Sequence, residues 1–226
     1  MKNLDSYITE KLVIGKNIIH KKITVSTRNE LITILEERLN KDKDANLNDL
    51  DVSQITDMSE LFNGLDPHNI KIDLWDVSNV KDMDSMFYRC LNFNFDLSKW
   101  DISNVKNMHG MFYLCKKFNS DLSHWDVSNV DEMGRMFEGC ENFNSDLSNW
   151  NVSNVENTSR MFYGCKNFNS DLSKWDVSKV RYMSNMFYHC EKFNSDINQW
   201  DVSKVKIMDN MFNGCKSLNE PNWWRE

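Results

Sequence analysis

Two alternating spacings of apolar residues run through most of this chain. From Val80 they fall at Val80, Met83, Met86, Phe87, Cys90 and Phe93, three and four residues apart, the spacing of one face of a helix. Just ahead, "DVSN" supplies Asp76 and Ser78, whose side-chain oxygens suit the N-cap of that helix. Two later copies complete a capping box, Ser128 with Asp131 and Ser153 with Glu156. The stretch that follows, "FNFDLSKW" (residues 93–100), is short and polar-flanked and reads as a strand of two to four residues with turns. Leu97 and Trp100 are three apart, so a bulge or bend must lie between them if both face inward.

This pattern repeats at a fixed step. Trp75, Trp100, Trp125, Trp150, Trp175 and Trp200 are spaced by 25 residues, and Cys90, Cys115, Cys140, Cys165, Cys190 and Cys215 keep the same step. So do the Met-Phe pairs that begin at Met86, Met111, Met136, Met161, Met186 and Met211. Residues 50–74 are a degenerate first copy, with Leu50 in the Trp position and Leu65 in the Cys position, so that seven units fill residues 50–224. Self-similarity at this period predicts an α/β repeat solenoid, with one short strand and one short helix in each unit, each unit burying its apolar side against its neighbours. Equivalent residues then line up in columns. A Trp column would bury about 150–250 Å² per ring. The Asn column (Asn69, Asn94, Asn119, Asn144, Asn169, Asn194 and Asn219) could hydrogen-bond from one unit to the next.

The unit "MFxxCxxFNxDLSxWDVSNVxxM" resembles the repeat of BspA-like leucine-rich-repeat surface proteins, also met as a lipoprotein-associated repeat of about this length. The resemblance covers roughly residues 50 to 220. It implies a leucine-rich-repeat-like right-handed superhelix, a bacterial surface location, and a role in adhesion or protein binding.

The flanking segments depart from the repeat. Residues 1–49 form an N-terminal capping region in this reading. "STRNELITILEERLNK" predicts an amphipathic helix over 27–41, with Glu30 completing a capping box and Leu31, Ile34, Leu35 and Leu39 on its apolar face. "KLVIGKNIIHKKITV" before it reads as a strand or hairpin. At the other end, residues 221–226 place Pro221 in the usual Asp position and bring Trp223 and Trp224 together. These two rings read either as a lid on the last unit or as an aromatic patch that joins another chain.

Composition narrows the function classes. Net charge is -7 and no basic stripe is visible, which argues against a nucleic-acid partner. No stretch has the ~20 apolar residues of a membrane span. No signal peptide, lipid-attachment cysteine or sorting tail is visible. The resemblance points to the cell surface, and these missing signals point to a cytoplasmic or non-classically exported chain.

The cysteines all occupy one apolar position, with no CxxC and no Cys/His clustering, so they read as small core hydrophobes, with disulfides between adjacent units the competing reading. The Asp columns (Asp96, Asp121, Asp146, Asp171 and Asp196; Asp76, Asp101, Asp126, Asp176 and Asp201) read as capping groups, with calcium-type coordination the competing reading. The five histidines are scattered, and no nucleophile elbow, phosphate loop or zinc motif is present. Phe95, Thr158 and Tyr182 depart from the consensus without grouping in sequence. The expectation is a non-enzymatic interaction or adhesion module that needs no cofactor or metal and binds a protein or a host-surface molecule. The alternative is a structural, self-associating protein using the C-terminal Trp pair.

Overall fold

The computed structural model describes residues 11–14, 17–20, 22–65, 67 and 69–225. Strands β1 (Lys11–Ile14) and β2 (Asn17–His20) pair antiparallel, Lys11 opposite His20. Strand β3 (Ile23–Thr24) leads into helix α1 (Arg28–Lys41), and β3 pairs in parallel with β4 (Leu50–Asp51). Thr27 caps α1, its Oγ1 accepting the Glu30 N–H at 3.2 Å. Leu31, Ile34, Leu35 and Leu39 are buried in the same core as the first repeat units. Arg38 ties α1 to the chain ahead of β4 through a two-pronged contact with Asp49, at 2.7 and 2.9 Å.

Beyond β4 the repeats carry little regular secondary structure. The helix expected in each unit is absent among the described residues, and so is the strand expected in "FNFDLSKW". Apart from the bridge Asn46↔Lys71, which falls in the strand stretch of the degenerate first unit, pairing occurs inside the stretch read as helix, as isolated parallel bridges at one position per unit: Asp57↔Asp82, Asp82↔Asn107, Asn107↔Glu132, Glu132↔Asn157, Asn157↔Tyr182 and Tyr182↔Ile207.

The backbone bonds explain the misreading. In the unit that begins at Trp125, the N–H groups of Met136, Glu138 and Cys140 bond three residues back, to Met133, Arg135 and Phe137. The N–H groups between them point out of the unit: Met133, Arg135, Phe137 and Gly139 donate to Asn157, Ser159, Met161 and Tyr163 of the next one, at 2.7–3.1 Å. Successive tight turns thus bury residues three and four apart, as a helix would, while alternate peptides are freed to join neighbouring units.

These turns need left-handed backbone. Every positive-φ residue of the described chain falls at one of two positions per unit, the one held by Glu60, Ser85, Gly110, Arg135, Arg160, Asn185 and Asn210, or the one held by Gly64, Arg89, Leu114, Gly139, Gly164, His189 and Gly214. A side chain there costs roughly 1–2 kcal/mol, so nine non-glycine residues hold that conformation because the bonds between units fix it.

The core between the turns is a set of ring columns. Phe62, Phe87, Phe112, Phe137, Phe162, Phe187 and Phe212 follow one another at 5.1–5.9 Å, with planes within 10°. A second column, Phe93, Phe118, Phe143, Phe168 and Phe193, lies 4.0–4.1 Å from the first within each unit. Each buried Phe contributes about 1.5–3 kcal/mol by burial and each ring pair about 0.5–1.5 kcal/mol more. The Trp column flanks these. Trp150, Trp175 and Trp200 lie parallel at 6.4–6.5 Å, and each indole N–H donates to the carbonyl 28 residues earlier, Trp150 to Leu122 at 3.0 Å.

These turns make a sign prediction. Gly164 has φ +73°, and a Cβ there would meet nothing closer than 3.8 Å. Gly164→Ala should therefore lower stability by about 1 kcal/mol, measured by urea unfolding. In a helix the same change would raise it by a similar amount, so stabilisation would contradict the turn structure.

Candidate interaction surface

The columns marked out in the sequence serve mainly to join units. Each Cys Sγ donates to a Phe carbonyl of the preceding unit: Cys90 to Phe62, Cys115 to Phe87, Cys140 to Phe112, Cys165 to Phe137, Cys190 to Phe162 and Cys215 to Phe187, at 2.9–3.3 Å. All six are thiols. Burial pushes Cys140, Cys165 and Cys190 far up, and Cys215, nearer the end, to about 12. That suppresses thiolate chemistry.

In the Asn column each side-chain oxygen accepts the backbone N–H of the next Asn, from Asn94–Asn119 through Asn144, Asn169 and Asn194 to Asn219, at 2.8–3.3 Å. The Asp columns close local turns rather than cap helices. Asp76 accepts the Ser78 N–H and hydroxyl, and Asp96, Asp121, Asp126, Asp146, Asp171, Asp176 and Asp201 each accept the N–H two residues on. These bonds hold the carboxyls below their ordinary range. Among the described residues no group of three or more His, Cys, Asp or Glu could hold a metal ion.

One face differs from unit to unit, and its centre is the unit that begins at Trp125. The residue after the first five Met-Phe pairs is Tyr88, Tyr113, Glu138, Tyr163 and Tyr188 in turn, and Asn213 follows the sixth. Tyr88 and Tyr113 stack at 4.4 Å, and Tyr163 and Tyr188 at 4.7 Å. Between the pairs sits Glu138, only 4% exposed. Arg160 reaches back to it with two bonds, at 2.7 and 2.9 Å, while its guanidinium lies 4.4 Å from the Tyr163 ring centre. Arg135 adds a contact at 3.9 Å, and Arg89 lies 5.5 Å over Tyr88.

Beside this row, Glu132 gathers three donors. Its Oε1 takes the Gly134 N–H at 2.6 Å and faces His109 Nδ1 at 3.5 Å, and its Oε2 takes the Asn157 amide at 3.1 Å. A Cβ at Gly134 would come within 2.8–3.1 Å of all three side chains, so a residue without a side chain is what lets them converge. Glu132 hydrogen bonding raises His109, against the pull of burial. For Glu132 burial opposes ionisation, yet His109, the Gly134 N–H and Asn157 together hold it low. Further along the same edge, Tyr182 and Ile207 stand 38% and 44% exposed.

The departures that look ungrouped in sequence are therefore partly brought together. Tyr182 continues the column of Glu132 and Asn157, and the Thr158 hydroxyl bonds the Tyr182 carbonyl at 3.3 Å. Phe95 lies apart, edge-on to Phe93 at 4.7 Å. His109, Glu132, Gly134, Glu138 and Arg160 escape single-unit reading. The signal that marks them is the series Tyr-Tyr-Glu-Tyr-Tyr read down one repeat position. At the C-terminus, Trp223 extends the Trp column, stacking on Trp200 at 6.4 Å and donating to the Ile197 carbonyl at 2.9 Å, while Trp224 lies edge-on to Phe212 at 5.0 Å.

A family model described as "Mycoplasma protein of unknown function, DUF285" matches residues 33–150 and, a second time, residues 119–224. No curated protein and no solved structure matches the chain.

The charges on this face make two predictions. Arg160→Ala strands the buried Glu138 carboxylate and should cost about 2–3 kcal/mol in urea unfolding at neutral pH. Adding Glu138→Gln should recover part of that loss.

The second concerns pH. A raised His109 contributes stability fully below about pH 6.5, lost as pH rises through its folded value. The lowered Glu132 contributes above about pH 4.3, lost as pH falls. His109→Gln should therefore flatten the decline of melting temperature above about pH 6.5 and reduce Glu132's share of the acid limb, while the larger share carried by the turn-closing Asp residues below about pH 4 stays in place.

Proposed function

Because the chain belongs to the DUF285 family of Mycoplasma proteins of unknown function, which assigns it no activity, we propose from its geometry that it is a non-enzymatic interaction module. The units wind as a right-handed, leucine-rich-repeat-like solenoid, akin to the BspA-like surface proteins its repeat resembles. The frame holds one variable face toward a protein or host-surface molecule, in an adhesive role.

The observation that carries this reading is the tyrosine row broken by Glu138. Tyrosine and arginine dominate binding energy at protein interfaces, and rigid rings lose little entropy when a partner covers them. Here Tyr88, Tyr113, Tyr163 and Tyr188 are half-buried and stacked in pairs, with Arg89 and Arg160 against them. The partner-facing groups are therefore pre-ordered before binding. Self-association through Trp223 and Trp224 draws less support, since both indoles are engaged within the chain.

Tyr88 and Tyr188 lie at the outer ends of the two stacks, so replacing them should spare the core. Immobilised protein should retain a partner from solubilised surface proteins, and Tyr88→Ser with Tyr188→Ser should weaken that retention at least tenfold while the melting temperature falls by only a few degrees. Equal retention by both forms would exclude this face, and retention by neither would remove the module reading.

A further inference from the structure

Cations are sorted between the faces of the stack. Residues 50–224 hold thirteen lysines and four arginines. No lysine lies between the bridge position and the second left-handed position of any unit, that is, in residues 57–64, 82–89, 107–114, 132–139, 157–164, 182–189 or 207–214. Three of the arginines do, Arg89, Arg135 and Arg160, and all three border the tyrosine row or its Glu138. Each stands on left-handed backbone, at φ 59–60°. Glycine takes the same two positions in other units, as Gly110 and Gly139 do, without the steric cost that a side chain brings there.

The acids around the row are already engaged. Glu138 accepts two bonds from Arg160. Glu132 is held by the Gly134 N–H, the Asn157 amide and His109. Asp84 accepts the Ser85 hydroxyl at 3.0 Å, and Asp82 accepts the Asp84 N–H at 2.9 Å. Arg89 and Arg135 are exposed and make no side-chain hydrogen bond among the described residues, the Arg135 contact with Glu138 being 3.9 Å. What is left unmatched on this face is therefore positive: two guanidinium forks, two units apart.

The rings beside them offer edges more than faces. Tyr88 is stacked by Tyr113 and overlain by Arg89, and Tyr163 is stacked by Tyr188 and overlain by Arg160. His189 stands edge-on to Tyr188 at 4.5 Å. A nucleobase binds by laying its flat side on an open aromatic face, and the C–H side of a sugar ring needs the same opening. Tyrosine edges and hydroxyls suit a polypeptide, whose carbonyls accept from the hydroxyls.

We propose, resting on the interaction-module reading, that the partner of this face is a protein that binds through an acidic segment. Its carboxylates take the free forks of Arg89 and Arg135, and its backbone crosses the tyrosine edges between them. Arginine pairs with a carboxylate through two parallel bonds in one plane, which a lysine cannot copy. The chain as a whole carries a net charge of -7, so an acidic segment is repelled elsewhere and directed to this face.

The test follows the arginine side chains of the isotope-labelled full chain as a dodecapeptide of alternating Glu and Ser is added at low salt. The Nε–H signals of Arg89 and Arg135 should move together and saturate, while that of Arg160, whose Nε is bound to Glu138, stays nearly fixed. Arg89→Gln with Arg135→Gln should weaken binding at least tenfold, with the melting temperature within a few degrees of the parent. Arg89→Lys with Arg135→Lys, which keeps the charge and removes the forks, should weaken it severalfold. Fixed Arg89 and Arg135 signals would overturn the proposal, as would a stronger response to a sulfated oligosaccharide of equal charge. An equal loss from Lys99→Gln with Lys174→Gln, which removes the same charge from exposed sites on another face, would also overturn it. Retention of solubilised surface proteins separates this proposal from the reading beneath it. If the Arg89→Gln, Arg135→Gln chain retains a partner as well as the parent while the Tyr88→Ser, Tyr188→Ser chain loses it, the face stands and the acidic partner falls. If no form retains anything, both fall.

Discussion

Everything in this molecule hangs on a hydrogen-bond ladder between units. In the turns of each unit alternate peptides point their N–H groups forward and their carbonyls back. The 25-residue repeat brings each donor to an acceptor 24 residues on, as Phe137 N–H to Met161 O at 2.9 Å, while the N–H groups of Lys106, Asp131, Glu156, Arg181 and Lys206 donate back to the residue 25 earlier. A one-residue change in that step would turn the donors of one unit toward the wrong peptides of the next and move every ring out of its column. The fixed spacing of Trp, Cys, Phe and Asn is therefore a constraint imposed by the backbone, which the side chains then reinforce. Buried polar groups follow the same rule. Indole N–H, thiol and Asn amide oxygen each find a partner about one repeat length away, as the Trp150 N–H does at the Leu122 carbonyl, the Cys165 thiol at the Phe137 carbonyl and the Asn144 oxygen at the Asn169 N–H.

Strain and satisfaction balance locally. Left-handed residues such as Leu114 and Arg135 would relax in an isolated unit, which has nothing to hold its alternate amides outward. Stacked between neighbours, each gains bonds on both sides. Cooperation between units, more than the propensity of any one, maintains the fold. It also lets the outer positions vary. A frame fixed by backbone and buried rings can change the residue after Met-Phe from Tyr113 to Glu138 to Tyr163, provided the new side chain brings its own partner, as Glu138 does in Arg160.

Much of this organisation is readable from the chain alone, and the rest is hidden for a physical reason. The period, the aligned columns and the cap that Thr27 gives α1 follow from spacing and residue type. The local conformation does not, because repeated turns and a helix bury residues at the same three-and-four spacing. Val80, Met83, Met86, Phe87, Cys90 and Phe93 satisfy both patterns. Glycine would have betrayed the left-handed positions, but it holds only some of them. Ser85, Arg89, Arg160 and Asn185 occupy others, held by contacts that no local rule anticipates. The Asp and Ser of "DVSN" look like helix caps because turn closure and helix capping use the same bond from carboxylate to N–H. The Glu132 and Glu138 clusters are hidden differently, since their members come from three successive units and meet only when the units are in register.

The most direct measurement of the ladder is the through-hydrogen-bond scalar coupling between amide nitrogen and carbonyl carbon in isotope-labelled protein. The account predicts that the amides of Met133, Arg135, Phe137 and Gly139 couple to the carbonyls of Asn157, Ser159, Met161 and Tyr163. Coupling of those amides to carbonyls four residues earlier in the chain would mean that the repeats are helical and that the units are joined in some other way.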